Sequence, residues 1–134
     1  MIIPCLRYAD PRAAITWLGT AFGFTPLMVT ESPDGSIGHV ELAFDGGVVM
    51  LGATREDQWN VHTPRELGGA ATNSIYIVVD DADAHHARAM AAGAEVLIPL
   101  GDTSYGSREY TVRDPEGHIW GFGTYRPNAQ SNDG

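Results

Sequence analysis

Apolar and polar side chains alternate strictly through IGHVELAF, residues 37–44. Val40, Leu42 and Phe44 form one set, and His39, Glu41 and Ala43 the other. A two-residue period is that of a strand with one face packed and one turned away, so His39 and Glu41 are predicted on the face opposite the core. Residues 2–8 and 74–79 are continuous, partly β-branched apolar runs that suit buried strands. Each run leads into an acidic helix start. Asp10 caps a helix with Pro11 at its first turn, and Asp80 is expected to cap a second, with Asp81 and Asp83 favoured at its positive end. Ala14, Ile15, Leu18 and Phe22 recur at helical spacing, as do Ala84, Ala87, Met90 and Ala91. Gly23 and Gly93 stand where left-handed C-caps belong.

These elements repeat. With Asp10 placed on Asp80, an offset of 70, Gly23 falls on Gly93, Leu27 on Leu97, Val40 on Tyr110, Leu42 on Val112 and Gly47 on Gly117. Three short strands follow each helix, punctuated by Pro33-Asp34-Gly35 and Asp45-Gly46-Gly47 in the first copy. Gly101-Asp102 and Asp114-Pro115-Glu116-Gly117 punctuate the second, the last fitting a type I turn. The chain is thus predicted as two β-α-β-β-β modules, 1–53 and 73–127, in one domain covering 1–127. Residues 54–72 form a linker or lid and 128–134 a disordered tail. The offset places Glu109 and Thr111 on the face of His39 and Glu41. Eight strands with two helices on one side would leave a broad face uncovered, and a twisted sheet of that size curls into a cleft.

Charge and composition narrow the function. Seventeen acidic residues oppose eight basic ones, for a net charge of −9. The acidity is shared: residues 1–67 carry eight acids and four Arg, and 68–134 nine acids and four Arg. Such a field repels a phosphate backbone, so no nucleic-acid partner is expected. All basic residues are Arg, and the lack of Lys excludes Schiff-base and Walker-type chemistry. No segment has the ~20 continuous apolar residues of a membrane span, and the start lacks a secretory pattern, so a cytoplasmic location is expected. Cys5, in an apolar run, reads as a small buried hydrophobe.

The duplicated modules, the Y-x-D-P helix start and above all YGSREYTVRDPEGHIWGFGTYRP resemble the vicinal oxygen chelate superfamily. It includes glyoxalase I, bleomycin-resistance proteins and extradiol dioxygenases. The resemblance implies an α+β fold in which the tandem modules form a U-shaped, eight-stranded mixed sheet around a ligand cleft, usually in a homodimer. It also implies, in metal-using members, His and Glu ligands on the first and last strands of each module. The corresponding positions here are Pro4, Leu51, Ser74 and Gly121, none with a suitable donor.

No cofactor is therefore expected. A divalent metal is the alternative, should His39, Glu41 and Glu109 rebuild a site; the same three are the candidate acid and base groups. Their plain alternative is a solvated sheet face. Tyr76 shares parity with Ser74 and is predicted to line the cleft beside Leu6 and Leu51. Trp59, Tyr105 and Arg108 flank it, the last as a partner for a ligand carboxylate. Expected ligand contacts are thus Leu6, His39, Glu41, Leu51, Trp59, Tyr76, Tyr105, Arg108, Glu109 and Thr111. Packing roles are expected for Trp17 and Trp120, a hydrogen-bonded corner for His118, and exposure for His85 and His86. The leading expectation is a metal-independent small-molecule-binding protein, sequestering an aromatic or cationic ligand. A lyase, isomerase or dioxygenase, and a regulatory domain with a vestigial cleft, are the rivals.

Overall fold

The alternating and continuous apolar runs become strands, and the capped runs become helices. In the computed structural model, which describes residues 1–128, module one runs β1 (Cys5–Tyr8), α1 (Pro11–Phe22), β2 (Thr25–Glu31), β3 (Ile37–Phe44) and β4 (Gly47–Ala53). Module two runs β5 (Ile75–Val78), α2 (Ala82–Ala91), β6 (Glu95–Asp102), β7 (Arg108–Arg113) and β8 (Ile119–Gly123). The eight strands divide into two four-stranded sheets, β1-β4-β3-β2 and β5-β8-β7-β6. β1 runs parallel to β4 and β5 to β8; the other neighbours are antiparallel. The fold is α+β with tandem β-α-β-β-β modules. The tail expected at 128–134 lies, from 129 onward, outside the described residues.

Asp10 caps α1 by accepting from the Ala13 amide at 3.0 Å, and Gly23 closes the helix with φ 90°. In the second module the cap is Asp81, not Asp80, accepting from Ala84 N at 3.0 Å. The repeat therefore begins at an offset of 71. α2 reaches its left-handed Gly93 one residue sooner, which restores 70 through β3 and β7, where Val40 answers Tyr110. Four residues then separate paired Ala43 and Val48, but five separate Arg113 and Ile119. The offset returns to 71: Leu51, opposite Val40, answers Phe122, opposite Tyr110.

A one-residue shift exchanges the faces of a strand. Leu6 and Leu51 are in register with each other and with Val40, hence on the core face, where they are buried. Their expected place in the cleft is corrected. The outward positions of β1 and β4 are Cys5, Arg7, Met50 and Gly52. Cys5 is exposed rather than buried for the same reason.

The helix-side faces of both sheets share one buried cluster, including Leu18, Phe22, Val40, Leu42, Tyr110, Val112, Trp120 and Phe122. Phe22 from α1 packs on Phe122 and Trp120 of the other module, with ring centroids 4.6 and 5.6 Å apart. The buried face of α2 is Ala82 and Ala89, not the expected Ala84, Ala87 and Ala91. His85 is also not a free surface group: it joins this aromatic layer. Its Nε2 lies 2.9 Å from Phe22 O and its Nδ1 2.6 Å from the Tyr110 hydroxyl. A neutral ring serves both bonds, with Nε2–H donating and Nδ1 accepting.

The modules are tied by the β7–β8 turn. Asp114 Oδ2 accepts from the Tyr8 hydroxyl at 2.5 Å and from Trp120 Nε1 at 3.0 Å. Glu116 accepts from the backbone amides of Ala9 at 2.6 Å and Asp10 at 3.0 Å. His118 completes the corner, its Nε2 2.8 Å from Arg7 O. The linker joins in as well, since Arg65 N donates to Glu116 O at 3.0 Å beside a 3-10 turn at Arg65–Leu67.

Two outcomes are expected. Glu116→Ala removes the acceptor of two otherwise orphaned amides and should cost about 2–3 kcal/mol in denaturant unfolding; a loss below half a kcal/mol would refute the staple. Burial holds the His85 imidazole below its ordinary value, against the opposing pull of Phe22 O. A depressed base binds fewer protons folded than unfolded, so its stabilisation is complete above the ordinary histidine value and declines as pH falls through it. The melting temperature should therefore drop between about pH 7.5 and 5.5, with a shallower slope in His85→Gln.

Candidate functional site

Because the core faces meet, each sheet's remaining face turns away from the core, and each carries its own cavity. On the first sheet, a cavity of about 410 Å³ is lined by Cys5, Arg7, His39, Met50, Arg55 and Trp59, among others. On the second, a cavity of about 470 Å³ is lined by Tyr76, Tyr105, Glu109, Tyr125 and Pro127. They have no lining residue in common.

The second cavity is an aromatic box around a carboxylate. Tyr76 extends from the outward face of β5, and its hydroxyl donates to Tyr125 O at 2.8 Å. Tyr105, in the β6–β7 turn, donates to Glu109 Oε1 at 2.6 Å and meets Tyr125 edge to face at 5.8 Å. Gly123 makes room: a Cβ there would stand 2.5 Å from Glu109 Cγ and 2.7 Å from the Tyr76 hydroxyl. Thr111 lies alongside, opposite Gly121, which in turn is opposite Tyr76. The hydrogen bond to Glu109 raises the Tyr105 phenol above its usual value; burial does so for Tyr76, assisted by the charge of Glu109.

The first cavity is built differently. Arg7, on the outward side of β1, places Nη2 2.9 Å from Asp57 Oδ2, which also accepts from Arg55 Nε at 3.1 Å. Asp57 Oδ1 accepts from the backbone of Trp59 at 3.0 Å, so the same carboxylate shapes the loop that carries this exposed indole. The Arg7 hydrogen bond holds the Asp57 carboxyl below its ordinary value. His39 Nε2 stands 3.0 Å from Glu41 Oε2 on the same face.

The structure thus brings Tyr76, Tyr105, Glu109 and Thr111 to one outward face, and His39, Glu41 and Trp59 to the other. His39 and Glu41 do not join Glu109, so the expected acid-base trio is divided. Arg108 is engaged elsewhere: Nε and Nη2 clasp Asp83 at 2.9 and 3.1 Å, and Nη1 reaches Asp102 at 3.1 Å. That network raises its already high pKa and leaves it no free fork for a ligand. Sequence reasoning missed Arg7, Arg55, Asp57 and Tyr125. The Leu6-Arg7-Tyr8 alternation could have found Arg7, whereas Tyr125 lies beyond the last strand, where parity gives no guide.

Residues 3–122 match the Glyoxalase/Bleomycin resistance protein/Dioxygenase superfamily. The chain belongs to this superfamily. An uncharacterised protein of Mycobacterium bovis is 36% identical over 122 residues, covering 90% of this chain and 80% of that protein. TioX from Micromonospora sp. ML1 is also 36% identical, with a TM-score of 0.74 over 93% of this chain and 98% of its own. The fold also matches TnmS3, an antibiotic binding protein from Streptomyces sp. CB03234, at 19% identity and TM-score 0.66 over 90% of each chain.

The metal used by some superfamily members does not fit here. Among the described residues no group of three or more His, Cys, Asp or Glu side chains could hold an ion. The outward positions of the parallel pairs β1–β4 and β5–β8 offer the lone thiol of Cys5, the guanidinium of Arg7, the thioether of Met50, the phenol of Tyr76 and the bare backbone of Gly52, Gly121 and Gly123, with no His or carboxylate among them, and a fixed cation at Arg7 opposes a second. No helix among the described residues is long and apolar enough to cross a membrane.

Replacing Glu109 by Gln removes the charge that both phenols face. In ultraviolet difference titration, Glu109→Gln should ionise a tyrosine at lower pH than the wild type. An unchanged curve would mean that the Tyr105–Glu109 bond does not persist in solution.

Proposed function

We propose that the protein binds a small aromatic ligand carrying a cationic group, and sequesters it in the cytoplasm without chemical change. The observation that carries this reading is the convergence of three tyrosines and Glu109 on one cavity. A ring face attracts an organic ammonium through its quadrupole, and a carboxylate adds the opposite charge. A cavity of about 470 Å³ is within the ordinary range for small-molecule sites. Antibiotic binding by TnmS3 is a use to which the same fold is put. Sequestration requires neither a metal nor an acid-base trio.

The working unit in this proposal is a homodimer. β2 and β6, each at one edge of its sheet, expose Leu27, Met28 and Val29 and, at the equivalent place, Val96, Leu97 and Ile98. Exposed apolar strand edges invite pairing. A second copy laid against them would cover both strands and wall in the neighbouring cavities.

Calorimetry with 2-naphthylmethylammonium, and thermal shift against a panel of aromatic antibiotics, tests the reading. Wild type should bind the ammonium probe, with affinity falling roughly tenfold, about 1.4 kcal/mol, in Glu109→Gln and in Tyr105→Ala. Light scattering should report two chains per particle. No binding by any of these compounds would remove the proposal.

A further inference from the structure

The cavity on the first sheet has the opposite character. Two guanidinium groups, Arg7 and Arg55, share the single carboxylate of Asp57, which leaves one positive charge uncompensated within that cluster. Glu41 does not line the cavity and is held by His39. More telling is Arg7 Nη1. It is shielded from solvent and has no acceptor, the only buried side-chain nitrogen or oxygen among the described residues in that state. The Arg7 side chain keeps 12% of its exposure.

An unpaired donor on a buried charged group is costly, and buried polar groups in folded proteins are nearly always satisfied. A guanidinium is planar and presents its donors as a fork that matches carboxylate geometry, so an oxyanion in this cavity gains an unused donor once a small shift of the Arg7 side chain uncovers Nη1. Trp59, 71% exposed, stands in the lining beside it and offers a flat apolar surface. Met50, adaptable in shape, contributes to the floor. The position of Arg7 is itself fixed by the Asp57 pair, so little ordering is left to ligand binding.

We infer that the first sheet carries a second, anion-accepting subsite in which Arg7, beside Trp59, receives a carboxylate or phenolate oxygen borne by a flat aromatic ring. It rests on the reading of the open faces as ligand-binding and adds to it. With the tyrosine box taking a cation, the two faces of one chain favour ligand groups of opposite charge. A ligand of zwitterionic or mixed character then satisfies both kinds of site in an assembly that brings two such faces together.

The test compares 2-naphthoate, methyl 2-naphthoate and 2-naphthylmethylammonium by calorimetry, with tryptophan fluorescence followed in parallel. Wild type should prefer naphthoate over its methyl ester. Arg7→Gln should weaken naphthoate about tenfold, equivalent to about 1.4 kcal/mol, and erase that preference while leaving the ammonium affinity unchanged. Arg55 still pairs Asp57 in this variant, and thermal melting checks that it folds. Arg7→Lys, a point charge without the fork, should fall between the two. Naphthoate binding that is indifferent to Arg7→Gln, or absent while the ammonium probe binds, overturns the subsite and leaves the proposed function standing. Binding of neither probe overturns both.

Discussion

The turn Asp114-Pro115-Glu116-Gly117 is the constraint on which the arrangement depends. Two carboxylates are buried there, and burial of a charge is tolerated only when its oxygens are well satisfied. Asp114 accepts from Tyr8, Trp120 and the amides of Glu116 and His118; Glu116 accepts from the chain where β1 passes into α1. The bonds from Tyr8, Ala9 and Asp10 cross between modules more than 100 residues apart in sequence. They set the end of β1 against the start of β8, which lets Phe22 reach Phe122. They also hold the linker, because a Cβ on Gly117 would lie 2.9 Å from that of Pro64, and φ there is +92°. A side chain at 117 would push the linker off and strain the backbone together.

From this junction the two cavities follow. With both core faces committed to one aromatic layer, the outward faces are left free to carry the two cavities described. Each inherits its chemistry from a few residues that the core does not need. The acidity of the chain, nearly equal in its two halves, becomes unequal where it matters. Carboxylate and phenol groups collect on the second sheet, whereas on the first the guanidinium groups outnumber the carboxylate they share. Net charge describes the field far from the protein; the local sign at each cavity is set by which acids are already paired.

Much of this was legible in the sequence. Module order, the Asp10 helix start, the DPEG turn and the core roles of Val40, Leu42, Tyr110 and Val112 followed from periodicity, capping and the repeat. The faces of β1 and β4 did not, because a constant offset of 70 was carried through a helix one residue shorter and a hairpin one residue longer. Helix faces made of alanine were equally unreadable in α2, since Ala82, Ala84, Ala87 and Ala89 have the same side chain and only packing distinguishes them. His85 and Arg108 carry the same lesson for polar groups. Their partners, Phe22 O and Tyr110 for one and Asp83 and Asp102 for the other, are distant in sequence or separated by a turn. No local pattern marks a polar side chain as already occupied.

The single-residue slips also have a functional consequence. In each module the outward position on the first strand faces one on the last: Cys5 opposite Met50, and Tyr76 opposite Gly121. In module two the large residue comes from the first strand and glycines from the last, so Tyr76 can lie over Gly121 and Gly123 and form a wall with Thr111. In module one the small residue comes from the first strand and Met50 fills the space, which moves the open volume toward Arg7, Gly52 and the Trp59 loop. Duplicated frames thus yield two dissimilar cavities through the exchange of large for small across one parallel pair. The backbone has stayed nearly symmetric because Glu116 and Asp114 hold the junction, and the side chains outside that junction were free to diverge.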